Sequence, residues 1–254
     1  MKKEMEIQDF FKEHKSVAVA FSGGVDSAVL LMLALRCAER VKAYFVKSPF
    51  QPAFELEDAK KTAELLGAPL EVLCADVLSD PTVRSNPKDR CYYCKKRIFG
   101  IISEKAHSDG FDTLLDGTNA SDDETDRPGV RALRELGVLS PLRECGLDKA
   151  YIRKLAAENG LPVFDKPSYA CLATRIPYGT PISEEVLLKT ENAEGLLMRE
   201  GFRNFRIRYA DGSARLELGK AEFTILQEKR EKIYEMLIKS YDNVYLDLKE
   251  RTDE

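Results

Sequence analysis

"VAVAFSGGVDSAVLL", residues 17–31, decides the fold: an apolar run breaks on two glycines, an aspartate and a serine, then resumes at helical spacing. Residues 17–21 alternate small and β-branched side chains as a buried parallel strand does, and residues 26–39 repeat apolar positions at helical period. The segment is expected to run strand, glycine turn, helix. Downstream, VKAYFV reads as a second strand, ELEDAKKTAELLG as a helix ending at Gly67, and PLEVLCA as a third strand. This alternation predicts an α/β fold, a doubly wound parallel sheet covered on both faces, with ligands at the carboxyl ends of its strands.

In such a turn Gly23 and Gly24 let backbone N–H groups point inward, Ser22 and Ser27 add hydroxyls, and the following helix presents its positive end. That geometry suits phosphate. The P-loop consensus needs a lysine before its Ser/Thr and the dinucleotide fingerprint needs three spaced glycines, so SGGVDS matches neither. Asp26 sits awkwardly beside an anion unless it holds Mg2+, which would neutralise both groups; the competing reading is that it caps the helix.

Further along, a helix is expected to start near Asp89, FDTLLDG reads as a strand after Gly110, and LDKAYIRKLAAENG offers Asp148 as N-cap and Gly160 as the residue past the end. Near Tyr178 the pattern changes. RIPYGTPIS holds two prolines and a glycine, and Ser183 with Glu184 and Glu185 opens a new helix. A boundary placed there gives a nucleotide-type domain over 1–178 and a small α+β module over 179–254, built from a helix, NFRIRYA, ARLEL, a long helix over about 220–240 and NVYLDL.

With 254 residues, 44% hydrophobic and 32% charged, the chain can bury a full core. A net charge of −4 and the lack of a Lys/Arg block argue against a broad nucleic-acid-binding face. No stretch approaches the roughly 20 apolar residues that cross a bilayer, and the N-terminus has no signal-type apolar region, so a cytoplasmic protein is expected.

Six cysteines in such a chain point to thiol, metal or redox chemistry. CYYCKKR sets Cys91 and Cys94 beside Lys95, Lys96 and Arg97 at an expected helix start, where cations and the helix end lower a thiol pKa. No second CxxC completes a four-cysteine zinc site. Cys171, in KPSYACLATRIPYG, lies in a loop. Three thiolates at Cys91, Cys94 and Cys171 could hold a [4Fe–4S] cluster and leave its fourth iron open. A CxxC disulfide switch with an unrelated Cys171 is the competing reading.

SGGVDS resembles the pyrophosphatase loop of the ATP pyrophosphatase (PP-loop) family, and DGTNASDD, residues 116–123, resembles that family's second nucleotide-side element. The resemblance implies that Ser22, Gly23, Gly24, Asp26 and Ser27 hold the pyrophosphate of ATP and its Mg2+. It implies also that Gly117, Thr118 and Asn119 complete the nucleotide site, with Asp123 joining Asp26 at the metal. LDKAYIRKLAAENGLPVFDKPSYACLATRIPYG narrows the likeness to the family's ATP-dependent sacrificial sulfur transferases, which make pyridinium-3,5-bisthiocarboxylic acid mononucleotide for the nickel-pincer cofactor of lactate racemase.

By that resemblance the substrate is a small pyridinium dicarboxylate mononucleotide, whose carboxylate is adenylylated before sulfur displaces AMP. Cys171 takes the sulfur-transfer role. One branch sacrifices the cysteine's own sulfur and leaves dehydroalanine; the other carries sulfur on a cluster held by three cysteines and reloaded by a sulfur donor. Cys91 and Cys94 fit the cluster branch. Lys96 and Arg175 are expected to stabilise developing charge during the transfer. Arg206 and Arg208 share one face of NFRIRYA, with Arg215 on the next strand, and planar guanidinium forks suit a phosphate; the resemblance places the substrate phosphate there. It also implies a homo-oligomer. tRNA thiolation, or a nucleotide-binding redox sensor, are the alternatives.

Overall fold

The computed structural model describes residues 2–122 and 128–252. In chain order the elements are α1 (Lys2–Glu13), β1 (Ser16–Ala20), α2 (Val25–Cys37), β2 (Arg40–Lys47), α3 (Ala53–Leu66) and β3 (Leu70–Cys74). The short α4 (Pro81–Arg84), α5 (Arg90–Ser108), β4 (Thr113–Leu115), α6 (Pro128–Glu135), α7 (Pro141–Glu144) and α8 (Lys149–Glu158) follow. The chain closes with α9 (Glu184–Arg199), β5 (Phe205–Ala210), β6 (Ser213–Leu218), α10 (Lys220–Leu237) and β7 (Val244–Leu246).

These group into two units. The first comprises Met1–Ser48, Ala53–Val77 and Asp89–Lys166; the second comprises Pro49–Pro52, Leu78–Lys88 and Pro167–Glu254. The first carries the expected parallel sheet, in strand order β3-β2-β1-β4. Its middle strand, β1, pairs Val17 with Val41 on one side and with Thr113 on the other. SVAVA can occupy the middle because small and β-branched side chains tolerate cover on both faces. One such cover is α2, buried almost continuously from Val25 to Ala34, with Ile7 and Phe11 of α1 and Ile152 and Ala156 of α8 in the same core. Local chemistry ends the elements where expected: the Asp148 carboxylate accepts the Tyr151 N–H at 2.8 Å, and Gly67, Gly110 and Gly160 take positive φ.

The second unit holds a three-stranded sheet in order β5-β6-β7, with β5 antiparallel to β6 and β6 parallel to β7. Leu197 of α9, Ile233 and Leu237 of α10, and Ile207 and Leu216 of the sheet share its core. Ser183 caps α9, its hydroxyl accepting the Val186 N–H at 3.2 Å. Contacts divide the chain earlier than the pattern change at Tyr178 does, and they bring in two short segments from between the strands of the first unit. Hydrogen bonding explains both. The buried Asn86 amide donates to the carbonyls of Pro177 (2.8 Å) and Thr180 (3.1 Å), and the Leu172 N–H donates to Phe50 O at 2.9 Å.

Charge also ties the first unit together. The Asp109 carboxylate accepts from Lys105 (2.5 Å), Lys42 (2.6 Å) and the buried Tyr44 hydroxyl (2.7 Å), and Lys42 also reaches Glu71 at 2.6 Å. Hydrogen bonds from Lys105, then Lys42, then Tyr44 hold the Asp109 carboxyl far below the usual carboxylate range. A depressed folded-state pKa gives stability that is full above the unfolded value, about 3.9, and that fades as pH falls from there towards the folded value. The thermal midpoint is therefore expected to drop below about pH 4. Asp109→Asn should lower the midpoint at pH 7 and flatten that acid limb, which a melting series across pH 2–8 measures.

Candidate active site

The strand order changes side at β1, with β2 on one flank and β4 on the other. The carboxyl end of β1 is thus the topological switch point, where open parallel sheets bind ligands. SGGVDS lies there. Gly23 takes φ +75°, and a Cβ on it would stand 2.9 Å from the Ala59 Cβ, so both backbone and space demand glycine. Ser22 and Ser27 face each other across the turn with their hydroxyls 3.1 Å apart, and Ser27 also donates to Gly24 O at 3.1 Å. Gly24 is the N-cap of α2 and no side chain caps it, so the helix's amino end stays open. Asp26 does not cap; its carboxylate is occupied elsewhere.

The second motif meets the first. From the end of β4, Gly117 packs so closely on the α2 amino end that a Cβ there would lie 2.9 Å from Ser27 N. The buried Asn119 side chain donates its Nδ2 to Asp26 Oδ1 at 3.3 Å, and its own Oδ1 accepts the Ser121 N–H at 2.8 Å. The Thr118 hydroxyl donates to Asp116, whose other oxygen accepts from Ser140 Oγ at 2.5 Å, so Thr118 shapes the turn. Asp122 does likewise, accepting the Asn119 N–H at 2.9 Å. Asp123 lies outside the described residues. The remaining Asp26 oxygen accepts from the Lys149 ammonium at the start of α8. One carboxylate facing an open helix end suffices for Mg2+, which binds through one or two carboxylates plus substrate phosphates.

Cys91 and Cys94 lie one turn apart at the start of α5, both half-buried, with the buried Arg90 guanidinium 3.9 Å from Cys91 Sγ. Among the described residues no group of three or more Cys, His, Asp or Glu side chains gathers to hold a metal ion. The first unit contributes two of the expected cluster thiols and the second one, so the three-thiolate donor set is not assembled within either. Lys96, expected to assist catalysis, is instead engaged on the outer face of α5: its Nζ is 3.2 Å from Tyr92 Oη and 3.3 Å from Glu135, and these hold its pKa above the ordinary value.

In the second unit Cys171 precedes a single 3-10 turn, Leu172–Arg175, and its carbonyl accepts the Thr174 N–H and hydroxyl at 2.9 and 2.8 Å. Arg175 is not poised to meet a reacting group, because its side chain is 1% exposed and forms a bidentate pair with the equally buried Glu194, at 2.7 and 3.1 Å. Arg206 and Arg208 share a face of β5 as their spacing predicts. Arg208 binds Glu217 at 2.9 and 3.0 Å and donates to the Thr174 carbonyl, whereas Arg215 reaches Glu217 at 3.2 Å and Asp247 at 3.8 Å. Arg206 differs. Burial first, then the charges of Arg251, Arg175 and Arg208, push the pKa of its guanidinium down to about 10, with the charge of Glu217 opposing them.

Sequence reasoning missed Lys149, Glu194 and Arg251. Two carried a signal. Lys149 starts a helix, where a cation opposes the macrodipole, and Glu194 falls on the α9 stripe formed by Leu187, Thr190 and Leu197. A residue set against its local preference marks a position held for another reason.

Comparison with known proteins adds to this geometry. The family described as asparagine synthase matches residues 10–81, which span β1, the glycine turn and the next two strands. The chain is 35% identical over 212 residues to the pyridinium-3,5-bisthiocarboxylic acid mononucleotide synthase of Lactiplantibacillus plantarum, covering 83% of this chain and 77% of that protein. It is equally 35% identical to an uncharacterized protein of Synechocystis sp., covering 84% and 80%. A protein of Methanocaldococcus jannaschii is 31% identical, over 91% of this chain and 90% of its own.

The close approach at the switch point is testable through stability. Gly117→Ala is expected to cost about 1–3 kcal/mol, as overpacking against backbone does. Gly100→Ala, inside α5 with open space around it, should be neutral or gain up to about 1 kcal/mol. Urea unfolding of both variants makes the comparison.

Proposed function

The chain belongs to the PP-loop ATP-dependent sulfur transferases, and from that membership we propose that it converts a carboxylate of pyridinium-3,5-biscarboxylic acid mononucleotide to a thiocarboxylate, on the route to the nickel-pincer cofactor. The observation that carries the reading is the convergence of SGGVDS and DGTN at the carboxyl end of β1, with Gly117 against Ser27 and Asn119 on Asp26. An open helix end and two hydroxyls suit a pyrophosphate leaving group.

The first step joins a substrate carboxylate oxygen to the α-phosphorus of ATP and breaks the bond to the β-phosphate oxygen, giving an acyl adenylate and pyrophosphate. The Ser22–Ser27 turn takes the departing anion. Mg2+, when bound, neutralises charge on the phosphates, and Asp26 is the carboxylate to hold it, releasing Lys149 to the phosphates. In the second step the Cys171 thiolate attacks the acyl carbon and AMP leaves; thiolate is nucleophilic at neutral pH and AMP is a good leaving group. Loss of the Cys171 Cα proton then breaks the Cβ–S bond, so the substrate keeps the sulfur and the chain keeps dehydroalanine.

The substrate's own phosphate is assigned to Arg206, with Arg208 and Arg251 beside it. The crowd of guanidinium groups that lowers the Arg206 pKa is relieved by a dianion. Arg215, matched by two acids, takes the outer position. A [4Fe–4S] cluster refilled by a sulfur donor is the alternative sulfur carrier, with Cys91 and Cys94 the thiols that the first unit would offer it. The reading extends to a cytoplasmic homo-oligomer, which light scattering on the purified chain tests.

With ATP and the pyridinium dicarboxylate mononucleotide, pyrophosphate release and an oxygen-to-sulfur mass change in the product are expected. Release that requires tRNA instead would replace this reading with RNA thiolation, and ATP binding without release would replace it with a sensor. Cys171→Ala should keep the release and abolish the mass change. Arg206→Gln should raise KM for the mononucleotide by about ten- to hundredfold, the value of one charged hydrogen bond. Iron and sulfide bound after anaerobic purification, and lost in each of Cys91→Ala, Cys94→Ala and Cys171→Ala, would move the sulfur from the Cys171 side chain to a cluster.

A further inference from the structure

Glu194 is a buried acid on the apolar stripe of α9, and its two oxygens take four donors. Arg175 Nε (2.7 Å) and the Ile207 N–H (3.0 Å) reach Oε1; the second Arg175 nitrogen (3.1 Å) and the Tyr169 hydroxyl reach Oε2. These donors come from two places. Tyr169 and Arg175 bracket Cys171, and Ile207 lies between Arg206 and Arg208 on β5. The remaining Arg175 nitrogen donates to the Ala170 carbonyl at 3.1 Å and to Thr174 Oγ1 at 2.9 Å, and that hydroxyl in turn donates to the Cys171 carbonyl. From the strand side, Arg208 donates to the Thr174 carbonyl. The backbone on either side of the cysteine is therefore bonded to the strand that carries the arginines, with Glu194 at the junction.

Packing alone does not account for an acid there. Leucine would continue the stripe, and a buried ion pair loses desolvation energy that well-packed apolar groups of similar volume do not lose. What the pair adds is direction: a bidentate fork admits one orientation of the guanidinium, and each further donor fixes one backbone group.

We infer that Glu194 is a positioning residue for sulfur transfer, holding the Cys171 turn and the Arg206–Arg208 strand in one register so that a substrate anchored by its phosphate meets the sulfur in a fixed geometry. This rests on the function proposed above. It assigns Glu194 to the second half-reaction and gives it no part in adenylylation. Arg175 acts through the same pair and touches no substrate.

The test separates the two half-reactions. Glu194→Gln leaves Arg175 unpaired and is at risk of misfolding, so the paired replacement Arg175→Met with Glu194→Leu is made as well, keeping volume while removing the fork. At saturating substrate the paired variant is expected to release pyrophosphate as the parent does. Its sulfur transfer should fall about a hundredfold, as misplacement by about 1 Å costs. Tyr169→Phe, which loses a single donor, should show a smaller loss in the same step.

A second readout needs no substrate: the pH profile of Cys171 alkylation, followed by peptide mass mapping. Arg175→Met removes the cation near the thiol and should move the profile to higher pH; Glu194→Gln removes the balancing acid and should move it to lower pH. A paired variant that folds and transfers sulfur like the parent overturns the inference, as does an equal loss of both half-reactions. A parent that transfers no sulfur from Cys171 would instead overturn the proposed function, and the alkylation profiles would still decide whether Glu194 sets the environment of Cys171.

Discussion

Everything in the first unit turns on how closely two stretches of backbone approach at the carboxyl end of β1. Gly117 stands where a single added carbon would press on the nitrogen of Ser27, and Gly23 stands where one would press on Ala59. Close approach without side chains sets two hydroxyls beside an uncapped helix end. The strand order β3-β2-β1-β4 supplies the opening, because the chain leaves β1 to one side and returns to the other. Had Asp26 capped α2, the same turn would be a local stop signal. With Gly24 as cap and Asp26 turned to Asn119 and Lys149, the helix end stays open.

Lys149 shows a side chain held against its local preference. Without ligand, an acid aimed at an anion pocket must be balanced, and the ammonium at the start of α8 balances it. A cation at the amino end of a helix is disfavoured by the helix itself, by about 0.3–1 kcal/mol for a surface charge. In the proposed function a divalent metal on Asp26 and entering phosphates would release it, and its long stem would let it follow the negative charge.

The parallel sheet, its helices and the glycine turn were legible because each depends on local periodicity and on residues with few conformational alternatives: the alternation in SVAVA, the cap at Asp148, the positive φ at Gly67 and Gly160. The turns at SGGVDS and DGTN were legible for the same reason. Partners were not. Nothing in CYYCKKR says that Lys96 turns outward to Glu135, and nothing in CLATR says that Arg175 turns inward to Glu194. Such outcomes depend on residues far along the chain. The division at Tyr178 shows the same limit, since Asn86 ties a distant loop to Pro177 and Thr180 by hydrogen bonds that no local pattern announces.

Pairing also resolves what net charge conceals. A net charge of −4 says nothing about the arginines on β5 and β6, which differ in how they are paired. Arg208 and Arg215 are answered by Glu217 and Asp247, and Arg175 by Glu194. Arg206 differs: burial and the charges of Arg251, Arg175 and Arg208 lower its pKa against the pull of Glu217. The acids that neutralise the other arginines also orient them, through two carboxylate oxygens and planar forks. The same hydrogen bonds therefore do two things: they neutralise Arg175, Arg208 and Arg215 and fix their directions, and they tie the backbone of the strand that carries Arg206 to the Cys171 turn.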